Sequence, residues 1–296
     1  MYVITGGTGN IGKPLALALL NAGKKVRIIC RNADKAKELI DKGAELFTGD
    51  MSDQETANKA FEGAEAVYSM SPPGYTEPDY LAFQTKYGDT IANALEKNEV
   101  KYVVALSSIG AHLDKDTGVI LGLHRMEERF KKIPGINILF LRPGYFLENT
   151  FHNIGIIKNS GIMGSNIKGD TKFAAIATKD IAAYAAKRLL ALDISGHNVQ
   201  YLLGQRDLTY NEITKVLGTA IGKPDLPYVQ FSAEDVKKGM VANGSTESVA
   251  DKMNEFTKAL NDGRIMEDAK RDAENTTPTS IEEFSNIFAH VYKMSK

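Results

Sequence analysis

The sequence holds a single cysteine, Cys30, in 296 residues. An intramolecular disulfide is therefore excluded, which fits a reducing compartment. An excess of charge is also missing: 36 basic against 37 acidic side chains leave a formal net charge of −1. Nucleic acid as the main partner calls for a basic surface surplus, and this balance supplies none. No apolar run reaches the roughly 20 residues that cross a bilayer. Nor does a charged leader precede an apolar stretch, because Tyr2-Val3-Ile4-Thr5 opens the chain as a strand. The expectation is a cytoplasmic protein with no membrane partner. Internal repeats and low-complexity tracts are absent, and His112, His197 and His290 show no metal-ligand spacing, so no metal is expected.

The first half of the chain alternates short β-branched runs with amphipathic helical spacing, the pattern of a parallel sheet covered on both faces. Strands are predicted at Tyr2 to Thr5, Val26 to Cys30, Ala44 to Phe47, Ala66 to Met70, Tyr102 to Leu106 and Asn137 to Leu141. Ile11, Leu15 and Leu19, then Ala57, Ala60 and Phe61, then Tyr87, Ile91 and Leu95 mark helices between them. Three capping boxes are read, at Ser52 with Glu55, Thr209 with Glu212, and Ser280 with Glu283. A further helix is predicted from about Thr178 to Leu192, and Pro224 with Pro227 marks a break. The expected fold is α/β: a doubly wound parallel sheet of the Rossmann kind over 1–145 plus about 170–203, with a smaller, mostly helical lobe over about 146–169 and 204–296.

The most informative segment is Thr5 to Gly12, T-G-G-T-G-N-I-G, in which Gly7, Gly9 and Gly12 satisfy one dinucleotide spacing and Gly6, Gly9 and Gly12 another. A strand turning sharply into a helix lets backbone amides approach a pyrophosphate without Cβ atoms in the way, and the helix N-terminus adds partial positive charge. Gly6, Thr8, Gly9, Asn10, Ile11 and Gly12 are the expected phosphate-binding residues. A dinucleotide site selective for NAD places an acid at the end of the second strand, to accept from the ribose hydroxyls. Here Cys30-Arg31-Asn32 stands there. Arg31 can grip a 2′-phosphate bidentately and Lys35 can add charge, so NADP(H) is expected over NAD(H). The plain alternative makes both residues solvated surface charges.

At this point the chain resembles the atypical short-chain dehydrogenase/reductases and, within them, the NmrA-like family. The resemblance runs most of its length. It rests on Thr5 to Gly12, Arg31-Asn32, Gly49-Asp50, Val104-Ala105-Leu106-Ser107-Ser108, Leu141-Arg142-Pro143-Gly144-Tyr145-Phe146-Leu147-Glu148-Asn149, Lys179-Asp180-Ile181-Ala182 and Thr277-Pro278-Thr279-Ser280-Ile281-Glu282-Glu283-Phe284. It implies that Asp50, with Met51 beside it, meets the adenine, that Ser69 and Met70 line the ribose, and that Ser107 and the Pro143-Gly144-Tyr145 backbone lie against the cofactor near the nicotinamide.

Ordinary members of that superfamily use a serine after the fifth strand and a Tyr-x-x-x-Lys pair to pass a proton to a carbonyl. Ser107 or Ser108 matches the serine and the pair is missing. In its region stands His124-Arg125-Met126-Glu127-Glu128, so His124 and Glu128 take the same i, i+4 spacing. A carboxylate one turn from an imidazole can favour a donor that titrates near neutrality, which makes His124, Glu128 and Ser107 the candidate catalytic set. The same spacing also describes a surface pair at the head of a charged helix. Tyr145, Phe146, Asn149 and His152 follow the sixth strand and are expected to line a substrate pocket, the alternative for the aromatics being core. An electron-poor quinone needs no dedicated acid, only proximity and orientation. The reading is therefore an NADPH-dependent oxidoreductase, monomeric or homodimeric, acting on a small flat acceptor. Its alternative is an NADP(H)-sensing regulator with a protein partner. A nucleotide-sugar epimerase fits less well, because those keep the Tyr-Lys pair.

Overall fold

The computed structural model describes residues 1–295. In chain order its principal elements are β1 (Tyr2–Thr5), α1 (Gly12–Asn21), β2 (Val26–Cys30), α2 (Lys37–Asp41), β3 (Glu45–Thr48), α3 (Gln54–Ala60), β4 (Ala66–Ser69), α4 (Tyr80–Lys97), β5 (Tyr102–Leu106), α5 (Ile120–Phe130), β6 (Asn137–Pro143) and β7 (Tyr145–Phe146). The second half adds α6 (Ile154–Ser160), β8 (Met163–Ser165), β9 (Phe173–Ile176), α7 (Thr178–Ala191), β10 (His197–Leu202), β11 (Asp207–Leu208), α8 (Tyr210–Ala220), β12 (Tyr228–Gln230), α9 (Ala233–Ala242), α10 (Glu247–Asn261) and α11 (Ile281–Met294). No helix among the described residues is long and apolar enough to cross a membrane.

The main sheet has seven strands in the order β10-β6-β5-β4-β1-β2-β3, and each neighbouring pair is parallel. This is the doubly wound Rossmann-like fold. Alternate side chains of each strand point to opposite faces. Tyr2, Ile4 and Ile28 therefore join Leu15 and Leu19 of α1 and Ile181 and Leu189 of α7 in one core layer. Val3, Ile29, Val67 and Phe140 join Ile91, Leu95 and Phe130 of α4 and α5 in the other. Both faces are covered, which is why these strands read as near-continuous apolar runs. Beyond the carboxyl ends of the strands lies a third core, with Leu147, Phe173, Tyr210, Ile213, Phe284 and Phe288 fully or almost fully buried. Two small sheets, β11-β9-β7 and β12-β8, accompany the helices there.

Three sequence expectations shift. The helix after β3 is capped by Asp53, whose carboxylate accepts from Thr56 N at 2.8 Å, so Ser52 is not its cap. Asp50 instead receives Ser52 N at 2.9 Å, which holds Ser52 in the turn before the helix. The Thr209–Glu212 box is complete, while Ser280 caps α11 by accepting from Glu283 N at 3.1 Å. Finally, β6 runs on to Pro143 because β10 lies alongside it, with Tyr201 opposite Arg142 and Leu202 opposite Pro143.

The β1–α1 turn is set by close backbone approach. Gly6 has φ +62°, and a Cβ on Gly12 would lie 2.2 Å from the Gly6 carbonyl oxygen. Backbone atoms cannot yield as a flexible side chain does, so Gly12→Ala is expected to destabilise by about 1–3 kcal/mol. Gly155, at the start of α6, faces open space, and Gly155→Ala is expected to stabilise by about 0.4–1 kcal/mol. Urea unfolding of the two variants checks the opposite signs.

Candidate active site

The winding of the sheet reverses at β1: from there β2 and β3 run to one side and β4, β5, β6 and β10 to the other. Connections leaving neighbouring strands for opposite faces cannot fill the gap between them, and a crevice opens at the carboxyl ends of β1 and β4. Residues predicted for the cofactor gather at this end. Gly6, Thr8, Gly9, Asn10, Ile11 and Gly12 form the β1–α1 turn, Thr8 half-buried and Gly9 and Asn10 exposed. Thr5 donates from its hydroxyl to Tyr68 O at 3.2 Å and accepts from Met70 N at 2.8 Å, which ties the end of β1 to the end of β4. Met70 then lies over Gly6, where a Cβ would meet its sulfur at 2.8 Å. Ser69 is buried, and its hydroxyl has no hydrogen-bond partner among the described residues.

Arg31 and Lys35 are exposed just beyond β2, on either side of the turn that Asn32 caps by accepting from Asp34 N at 2.9 Å. Asp50 is exposed beyond β3, and Met51 is buried beneath it. The hydroxyl of Tyr87, which donates to Met70 O at 3.2 Å, reports how close these groups lie. Burial pushes its ionisation far up, Asp50 adds to the rise and Arg31 opposes it. A cradle that added Cβ atoms would fill, open amides at a helix N-terminus and an exposed guanidinium at its rim together fit a phosphorylated dinucleotide.

The candidate catalytic residues do not form one cluster of direct contacts. His124 is half-buried, with Nδ1 2.9 Å from Ala111 O. A carbonyl only accepts, so Nδ1 carries hydrogen and Nε2 is the nitrogen left for other chemistry. Glu128 is exposed, and Lys131 takes its carboxylate at 2.7 Å and holds its pKa below the ordinary value. Ser107 is buried and donates to Glu127 Oε1 at 2.5 Å.

Glu127, one position before Glu128, escaped the sequence reading, and it anchors a buried network. Its carboxylate is 1% exposed and accepts from Arg142 Nε at 3.0 Å and from Arg142 Nη2 at 2.6 Å. Burial pulls the Arg142 pKa down, and the bonds to Glu127, joined by those to Tyr201, more than reverse it. Arg142 also donates to Tyr201 Oη at 2.8 Å, and Tyr201 donates to Asp268. His112 Nδ1 sits 2.9 Å from the same Asp268 carboxylate, off the line of a hydrogen bond. The i, i+4 template directed attention to Glu128; only the apolar residues around Glu127 on the helix signalled that it points inward.

Other signature residues prove to be structural pins. Glu148 accepts from Thr178 N at 2.9 Å and Thr178 Oγ1 at 2.6 Å, which caps α7 from across the chain. Asp180 accepts from Thr279 N at 3.0 Å and Thr279 Oγ1 at 2.6 Å, which fixes the approach to α11. Of the expected pocket residues, Tyr145, Phe146 and Asn149 are half-buried and His152 is exposed. Phe146 packs against the core layer of α1 and α7, while Phe151 stacks on Phe284 at 5.6 Å and belongs to the third core. The loop after β4 is pinned rather than loose: Tyr75 O and Glu77 O accept from Thr246 at 3.0 and 2.7 Å, and Gln84 donates to Pro72 O at 2.7 Å.

A Rossmann-like sheet with a glycine turn at its switch point defines a protein of the dinucleotide-binding class. The chain belongs to the NmrA-like family, whose model matches residues 2–285. It is 30% identical over 258 residues to an NAD(P)H azoreductase of Xenophilus azovorans, covering 86% of each chain. Its fold matches an NADPH-dependent quinone oxidoreductase of Escherichia coli, solved with NADPH, at a TM-score of 0.80 and 23% identity over 99% of this chain and 100% of that one. A triphenylmethane reductase of Citrobacter sp. matches at 0.78 and 22%, over 98% and 99%.

The buried pair generates a prediction. Removing one partner of a buried ion pair strands the other, so Glu127→Gln and Arg142→Met are each expected to destabilise by about 3–5 kcal/mol. The double variant Glu127→Met/Arg142→Met is expected to cost clearly less than the sum, as a denaturant double-mutant cycle would show.

Proposed function

We propose that this protein is an NADPH-dependent oxidoreductase that reduces a small flat acceptor, a quinone, by direct hydride transfer. The observation that carries the reading is the glycine cradle at the β1/β4 crevice with the exposed Arg31 guanidinium at its rim. The likeness to reductases of azo compounds, quinones and dyes supports it. The nicotinamide, when bound, supplies the hydride.

In this reading Gly6, Thr8, Gly9, Asn10, Ile11 and Gly12 bind the pyrophosphate with backbone amides, and Arg31 and Lys35 meet the 2′-phosphate. Asp50 and Met51 bound the adenine, Ser69 and Met70 the ribose. Pro143, Gly144 and Tyr145 back the nicotinamide, with Ser107 beside them. Ser107 spends its hydrogen on Glu127, so toward a ligand it offers lone pairs. Residues 146–169 and 204–295 form the substrate-side lobe, with Tyr145, Asn149 and His152 facing the acceptor and Phe146 backing them from the core layer of α1 and α7. Glu128, engaged by Lys131, feels His124 only through space.

Two outcomes test this. Arg31→Ala is expected to weaken NADPH about 10–100-fold, the size of a lost charge-assisted hydrogen bond, while leaving NADH nearly unchanged. Titration calorimetry with both nucleotides measures it, and equal losses would remove the case for the 2′-phosphate. His124→Ala is expected to lower kcat for quinone reduction at least tenfold at constant NADPH affinity; unchanged rates would assign His124 to the surface. Tight NADPH binding without turnover of any quinone, enone, aldehyde or azo compound would replace the enzyme reading with that of a dinucleotide sensor.

A further inference from the structure

Tyr145 follows β6 on the short strand β7, which pairs with β9. Its ring meets Phe173 edge-on at 5.4 Å and Tyr210 at 6.1 Å, and the two tyrosine hydroxyl oxygens lie 2.8 Å apart. The direction of that hydrogen bond follows from burial. Tyr210 is 1% exposed, so water does not serve its hydroxyl, and its hydrogen requires a protein acceptor. Among the described residues, the oxygen within hydrogen-bond distance of the Tyr210 hydroxyl is Tyr145 Oη. Tyr145 Oη is then the acceptor. With Tyr210 donating to it, Tyr145 must turn its own hydrogen elsewhere. Tyr145 is half-buried, and Tyr75 of the loop after β4, 45% exposed, stands close enough to act on its hydroxyl. The free hydrogen faces this partly open side.

We propose that Tyr145 is the hydrogen-bond donor that holds the acceptor's oxygen, so that the site selects flat rings bearing a carbonyl oxygen over flat rings without one. The inference rests on the oxidoreductase reading and adds a residue and a selectivity to it. Hydride arrival brings two electrons and one hydrogen to the acceptor and leaves negative charge on its oxygen. Tyr145 stabilises that charge, and the proton that completes the hydroxyl comes from solvent water by way of His124, the acid–base residue of that reading. Tyr145 keeps its own hydrogen throughout, because burial holds its ionisation above the ordinary range. Tyr210 is a positioning residue: it acts on the acceptor only by fixing where the Tyr145 hydrogen points.

The test compares anthraquinone-2-sulfonate with anthracene-2-sulfonate, which share ring frame and charge and differ in the carbonyl oxygens. Binding to the NADP⁺-loaded protein is followed by calorimetry. The wild type is expected to prefer the quinone about tenfold, and Tyr145→Phe to erase the preference by weakening the quinone alone. Tyr210→Phe, which leaves the donor present and unaligned, is expected to reduce the preference about threefold. In turnover, Tyr145→Phe is expected to lower kcat for 1,4-naphthoquinone about 100-fold at unchanged NADPH affinity. Equal weakening of both ligands in Tyr145→Phe, or a preference that survives it, would overturn the assignment while leaving the oxidoreductase reading in place. A wild type that binds neither compound and reduces no quinone would overturn both.

Discussion

The reversal of winding at β1 is the constraint on which the rest of this structure hangs. Parallel strands need crossovers, and a crossover can lie on only one face of the sheet at a time. Once β2 and β3 go one way and β4 to β6 the other, the connections from β1 and β4 leave for opposite faces and a crevice opens at their ends. The glycine turn, the Arg31 rim, Met70 and the Pro143 to Asn149 stretch are all consequences of elements that terminate around this gap. Even the tie from the Thr5 hydroxyl to the end of β4 belongs to it, because it holds the two walls at a fixed separation.

A second layer of order comes from acids that are buried or half-buried. Glu127, Glu148 and Asp180 each satisfy groups far along the chain: Arg142, Thr178 and Thr279. Such interactions are costly to leave half made, since a buried charge without its partner is penalised far more than a surface one. They brace the segments that follow the strands against α5, α7 and the approach to α11. The residues of the segments that carry the resemblance therefore divide into two kinds. Some surround the crevice, and others hold its frame in register without pointing into it.

The parallel sheet was legible because each strand is buried on both faces and carries its apolar run locally. The ends of the strands were less so. β6 extends to Pro143 because β10, far along the chain, lies beside it, and no local pattern encodes that neighbour. The cap of α3 was misread by one residue because Ser52 and Asp53 both carry capping oxygens, and the turn at Asp50 decides which one reaches the helix. At the site, spacing singled out His124 and Glu128, while Glu127 is the acid that faces Ser107 and Arg142.

The sequence by itself determined the fold class, the glycine turn and the chemical character of the crevice rim, because these depend on backbone sterics, periodic burial and charges carried within short windows. The tertiary structure alone decided which of two adjacent glutamates is buried, where the hydrogen of Ser107 goes and that the hydroxyls of Tyr145 and Tyr210 meet. Hydrogen-bond direction inside a protein is set by partners distant in the chain and by the exclusion of water, and neither is written in local order.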